Sequence, residues 1–229
     1  MVLLTVVKVE IWSDVVCPWC YIGKRRFEAA LGAFPHPVEL EWKSFQLDPH
    51  ATSQPAGANV ARLAEKYGRS LAETQQMVDG VTAAAAGEGL DFRLDLAQSG
   101  NTFDAHRLLH LAKAHGVQDA LKERFDRAYF TEGEPIADHA VLTRLAAELD
   151  LDASAVLGSD TYSDDVRADV AEARALGISG VPFFVIDRKY GVSGAQPADL
   201  IRQALQQAWD EQPVVLADAE ACDDDVCAV

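Results

Sequence analysis

Basic residues are in short supply: 20 lysines and arginines stand against 36 aspartates and glutamates, a formal net charge of −16 in 229 residues. A chain so acidic repels nucleic acid and anionic membrane surfaces unless it carries a separate basic patch. Its one dense basic cluster, Lys24, Arg25 and Arg26, is short. No apolar run approaches the roughly 18 residues that a membrane span needs. The opening "MVLLTVVKVEIW" lacks a basic n-region and an A-x-A-like site, so no export signal is inferred and the cytoplasm is the expected compartment. Internal repeats are absent. Cysteine is scarce too, with four in the chain, while 49% of residues are hydrophobic. That composition supports a core without disulfide staples.

What cysteine there is falls into two close pairs, Cys17 with Cys20 and Cys222 with Cys227. In a reducing compartment a Cys-x-x-Cys serves catalysis or metal binding rather than structural stapling. The local pattern around the first pair reads strand (about 5 to 12), helix (about 18 to 33) and strand (about 38 to 46), with Pro35 and Pro37 breaking the chain between the last two. From about 58 to 176 the signals are nearly all helical, and Gly68, Gly116, Gly133 and Gly177 stand where helices should stop. Ser70 to Glu73 fits a capping box, and Asn101 and Asp138 read as N-caps. Strand vocabulary returns at "VPFFVID" (181 to 187), "RKYGVSGA" reads as its hairpin partner, and a last helix starts at Gln196-Pro197 with proline in the first helical position. The spacing thus predicts a β-α-β half and a β-β-α half separated by roughly 120 helical residues.

A thiol attacks as its thiolate, and the unpaired amides at a helix N-terminus favour negative charge there. Cys17 occupies that position, with Pro18 just inside the helix and Cys20 one turn on, close enough for a disulfide. Two other readings stay open: half of a four-cysteine zinc site completed by Cys222 and Cys227, or inert core thiols.

"WSDVVCPWCYIGKRRFE", "NTFDAHRLLHLA" (101 to 112) and "GISGVPFFVID" (177 to 187), in that order, resemble the motifs of the thioredoxin superfamily and, within it, the DsbA-like group with the FrnE-type oxidoreductases. The resemblance spans nearly the whole chain. It implies an α/β thioredoxin-like fold with a large all-helical insertion: residues 1–50 and 178–212 form the thioredoxin-like domain, 51–177 the insertion, and 213–229 a flexible acidic tail. It further implies that Cys17 is the nucleophile, Cys20 the resolving thiol, and Pro182 a cis-proline that turns the Val181 backbone toward a bound peptide. The expected activity is thiol-disulfide exchange without a cofactor, on disulfide-containing proteins or peptides, recycled by a thiol reductant or oxidant. The glutathione transferases and 2-hydroxychromene-2-carboxylate isomerases of the same branch are similar in fold but usually show serine where this chain has Cys17; a glutathione-dependent isomerase is the rival reading, and a non-catalytic metal-binding protein the second.

Trp19 adds apolar contact surface between the cysteines but no positive charge, so a less oxidising pair than a periplasmic oxidant's is expected. Ser13 and Asp14 could orient substrate or tune Cys17, or be a plain strand-end turn. His106 and His110, four apart on one helix, lack the glutamate of a zincin; His106 or Arg107 is read as packing toward the thioredoxin-like half, or these are plain helix-face residues. Lys24 and Arg25 are read as solvated. The tail pair encloses Asp223, Asp224, Asp225 and Val226; stability is a poor reason for a staple there, which leaves an auxiliary redox role or a divalent cation.

Overall fold

The computed structural model of the chain describes residues 6–52 and 59–212. The tail, with Cys222 and Cys227, lies outside the described residues. The Val/Ile-rich opening forms β1 (Val7–Ser13), Pro18 starts α1 (Pro18–Gly32), and β2 (Val38–Ser44) follows the proline break. Then come α2 (Asn59–Tyr67), α3 (Leu71–Gly87), α4 (Phe103–Ala114), α5 (Gln118–Arg127), α6 (His139–Ala147), α7 (Ser154–Leu157) and α8 (Ser163–Ala175). The chain closes with β3 (Phe183–Ile186), β4 (Tyr190–Ser193) and α9 (Ala198–Asp210).

The four helix-stop glycines all adopt positive φ, 61° at Gly68, 73° at Gly116, 72° at Gly133 and 74° at Gly177. At such angles a Cβ is strained, so glycine ends the helix at little cost. The capping box at Ser70 forms in full, and Asp138 caps α6 through the Ala140 and Val141 amides. Two expectations shift by one residue. Thr102, not Asn101, is the N-cap of α4, although the Asn101 side chain still accepts the Phe103 amide at 2.8 Å. Pro197 is the N-cap of α9 rather than its first helical residue.

The four strands run in the order β2-β1-β3-β4, with β1 and β2 parallel and the other two pairings antiparallel. Val7, Val9 and Ile11 of β1 pack with Phe27 of α1 and Ile201 and Leu205 of α9 in one core. The opposite face of β1 is also covered. There Glu10 is 1% exposed, and Lys43 meets Glu41 at 3.1 Å and Asp169 of α8 at 3.1 Å. A second core is built from the helical insertion, and it takes in Val15, Tyr21 and Ile22. Helix α1 therefore serves both cores.

Polar contacts reinforce this junction. Strand β2 lies at the sheet edge, and side chains take open groups at its C-terminal end: the Gln118 amide accepts from Trp42 N at 3.0 Å and donates to Trp42 O at 2.9 Å, while Asp169 accepts from Ser44 N at 2.8 Å. That end of the edge is thereby covered. Lys24 corrects the sequence reading, because it is 2% exposed and holds Glu28, Asp119 and Glu123. Arg25 is partly buried against Glu28 and Glu123.

Candidate functional site

Residues 14–17 turn the chain from β1 into α1, with the Cys17 amide donating to the Asp14 carbonyl at 3.1 Å. Cys17 is the N-cap in extended conformation, Pro18 is the first helical residue, and the Cys20 amide donates to the Cys17 carbonyl at 3.0 Å. Both cysteines are free thiols, Cys17 at 4% exposure and Cys20 at 0%.

The loop before β3 reaches the same place. The Val181–Pro182 peptide bond is cis, and the Cys17 thiol donates to the Val181 carbonyl at 3.5 Å. The Pro182 carbonyl in turn accepts from Gly194 N at 2.8 Å. Close approach depends on Gly23 in α1, where a Cβ would lie 3.0 Å from Pro182 Cγ.

The helix N-terminus does not decide the charge of Cys17. Its thiol is pushed well above the usual range, first by its hydrogen bond with the Cys20 thiol, then by burial, by charge on Cys20 and by the Asp14 carboxylate. The Cys20 amide opposes these influences. A second sulfur and a carboxylate inside a closed site thus outweigh the N-terminal amides. That corrects the expectation of a readily ionised thiol.

A cleft of about 300 Å³ opens from Cys17 toward the insertion. Trp19 and Val181 border it, with Leu47, Arg62 and Lys66 toward α2 and Tyr129 at its inner side. Trp19 is 44% exposed, large apolar surface beside the sulfur. Ser13 is corrected: it is 1% exposed within the β1–β2 ladder and absent from the cleft lining, so the structure places it in the core. The neighbouring Asp14, read in sequence as orienting substrate, tuning Cys17 or forming a plain turn, lines the cleft and meets His106 of α4, with Oδ1 3.3 Å from Nε2. His110 engages Ser44 at 3.2 Å and Asp169 at 3.0 Å. The two histidines thus serve separate partners; His106 reaches Asp14 of the thioredoxin-like half, while Arg107 turns to the Val156, Ser159 and Thr161 carbonyls of the insertion. Tyr129 was not singled out in sequence; a tyrosine in a helical core carries no local signal for a cleft. Among the described residues no three His, Cys, Asp or Glu side chains group as a metal would require, and no helix is long and apolar enough to cross a membrane.

The chain resembles known proteins along most of its length. A solved structure of a probable DsbA oxidoreductase from Streptomyces coelicolor is 50% identical, with a TM-score of 0.85 over 97% of this chain and 99% of that one. The uncharacterized protein YwbO of Bacillus subtilis is 30% identical over 210 residues, 90% of this chain and 98% of its own length. The cytosolic disulfide reductase DsbM of Pseudomonas aeruginosa, solved with GSH, shares the fold at 21% identity and a TM-score of 0.61, over 89% of this chain and 99% of that one. The model of the DSBA-like thioredoxin domain matches residues 8–206. With a thioredoxin-like sheet, a helical insertion and that match along most of its length, the chain belongs to the DSBA-like thioredoxin domain family.

Proposed function

We propose that the protein is a thiol-disulfide oxidoreductase acting through Cys17 and Cys20. The observation that carries this reading is a pair of free thiols one turn apart at the start of α1, with the Cys17 sulfur 3.5 Å from the Val181 carbonyl beside an open cleft. Cys17 first gives up its proton to solvent, its thiolate attacks a substrate disulfide, and one substrate sulfur leaves as thiolate with the electron pair. Cys20 then gives up its proton and attacks the Cys17 sulfur, releasing the second substrate thiolate. The substrate gains two electrons and, in water, two protons, and the dithiol becomes a disulfide that a thiol reductant resets; oxidation of substrate dithiols runs the same steps backwards. Val181 and Pro182 bind the substrate backbone and Trp19 its apolar side chains. Confinement of cysteine to two close pairs suits a reducing cytoplasm.

Cys20→Ala should accumulate mixed disulfides on Cys17, detected by mass spectrometry, and Cys17→Ala should abolish turnover of a model disulfide. Turnover retained by Cys17→Ala would sink the reading. A glutathione-linked isomerase or transferase is the second reading, favoured by the apolar cleft and by the GSH in the Pseudomonas relative. Glutathione-dependent turnover that survives Cys20→Ala would select it. For the tail pair we propose an auxiliary redox role. From Trp209 to Cys222 the chain can extend about 40 Å at roughly 3.3 Å per residue. A Cys17–Cys222 link within one chain of the oxidised Cys20→Ser, Cys227→Ser variant supports it. Unchanged turnover after deletion of residues 213 to 229 would count against it and leave a divalent cation as the better role for the tail.

A further inference from the structure

The cleft beside Cys17 has apolar walls, among them Leu63, Val78, Val81 and Leu94, but its lining includes two buried hydroxyls. Ser99 is 8% exposed and Tyr129 3%. Their oxygens lie 3.4 Å apart, against about 2.5–3.0 Å for an ordinary O–H···O bond. Each hydroxyl is therefore poorly used by the other, and two donors so spaced suit one oxygen acceptor set between them. The spacing is held from outside the pair. Tyr129 sits on the π-turn Ala128–Glu132, a wide turn of the kind that often marks functional sites. The Phe130 carbonyl accepts from Arg93 N at 2.7 Å, and the Thr131 hydroxyl donates to the Asp91 carbonyl at 2.8 Å. Gln98, next to Ser99, donates to the Gly133 carbonyl at 2.8 Å, and the Tyr129 ring packs edge-on against Phe130 at 4.8 Å between centroids. The loop that carries Ser99 and the turn that carries Tyr129 are thus braced against each other.

Arg62 of α2 lines the same cleft, and a guanidinium offers five N–H donors in a fork that matches a carboxylate. Burial raises the Tyr129 hydroxyl above its ordinary range, while Ser99 and the Arg62 charge lower it by less, so the tyrosine keeps its proton as a donor. Two acids also face the cleft. Asp14 is taken up by the Leu47 amide at 2.8 Å and by His106 at 3.3 Å, and Asp48 accepts from the His50 amide at 3.2 Å. Their charges weigh against a doubly charged guest such as a phosphate monoester and less against a singly charged one. We propose that Tyr129, Ser99 and Arg62 form a carboxylate subsite, so that the preferred substrates are disulfides carrying a carboxylate within reach of the sulfur that meets Cys17. The proposal rests on the redox reading of Cys17 and Cys20 and names the substrate class of that site.

The test compares dithiodibutyric acid with its diamide as substrates of the full-length protein, at about 0.5 M salt to screen the net charge. The acid should be favoured about tenfold in kcat/KM, with the difference in KM. Tyr129→Phe keeps the ring and removes one donor, and Arg62→Gln removes the charge. Each should lower kcat/KM for the acid about tenfold and leave the diamide within about twofold. A disulfide-bridged peptide with glutamate beside its cysteine, set against its glutamine counterpart, separates the two sources of carboxylate. A preference in the peptide pair assigns the subsite to peptides, and a preference in the small pair alone assigns it to small acids. Equal KM within both pairs, or a preference untouched by both variants, would overturn the proposal. Thiodibutyric acid and its diamide, which have no disulfide to exchange, are titrated alongside by NMR. If no disulfide is turned over, the redox reading fails by itself and this titration decides the subsite: tighter binding of the acid that both variants abolish supports it, and equal binding overturns it.

Discussion

A helix N-terminus contributes about 0.3–1 kcal/mol to a nearby anion at an exposed site and up to about 2 in a partly buried one. Burial alone shifts an ionisable group by up to about 3–5 pH units. At Cys17, 4% exposed beside Cys20 and Asp14, the larger influences prevail, and the thiol stays protonated through the ordinary thiol range. Alkylation of Cys17 is expected to be slow at pH 7 and still rising above pH 9; a plateau below about pH 8.5 would contradict this account. Gly23 gives a second expectation. Alanine there gains about 1 kcal/mol of helix propensity but crowds Pro182, and overpacking costs about 1–3 kcal/mol. Gly23→Ala should lower disulfide turnover several-fold while the melting temperature falls modestly, and unchanged turnover would show that the Pro182 loop can move aside. The dithiol was legible because its signal is local: cysteine spacing, a proline at the first helical turn, a strand before and a helix after. Asp14 with His106 was not, since the partners lie 92 residues apart and neither local pattern names the other.

Elements that carry their own boundary chemistry were read closely: the stops at Gly68, Gly116, Gly133 and Gly177, the Ser70 box and the Asp138 cap all sit where their side chains or missing side chains require. The turn of π-helix at Ala128–Glu132 was not foreseen, since Ala-Tyr-Phe-Thr-Glu fits an ordinary helix and only packing selects the wider turn. The burial of Lys24 escaped for a related reason, because two of its acids, Asp119 and Glu123, come from α5. In β2, Glu41 shows what such distant partners do to stability. Burial pushes its carboxyl up, but hydrogen bonds from Lys113 and Lys43 outweigh it and bring the value down to about 2. A carboxyl lowered in the folded state stabilises above its unfolded value near 4.5, and that contribution is lost as pH falls from there toward 2. Glu41→Gln should therefore cost on the order of 1–3 kcal/mol at pH 7 and much less near pH 2, measured by urea unfolding at both. An equal loss at both would assign the effect to packing.

Over the whole molecule the acidic balance reaches farther than any contact. A net charge of −16 should draw cationic disulfide peptides to the protein and slow anionic ones at low salt. Raising ionic strength to about 0.5 M, where the Debye length is only a few ångströms, should contract a several-fold rate preference toward unity. A preference that persists in salt would instead locate selectivity in cleft contacts. The division of the sheet has a consequence for how the protein is made. Strand β1 lies between β2 and β3, and β3 begins at Phe183, about 170 residues after β1 ends. At roughly 5–20 residues per second, a ribosome takes on the order of ten to thirty seconds to deliver that missing neighbour. Through that interval the nascent chain already carries Cys17 and Cys20 without the loop that later covers them. The dithiol is then most open to oxidants and chaperones during synthesis, and emergence of residues 181 to 186 from the exit tunnel is the event that encloses it.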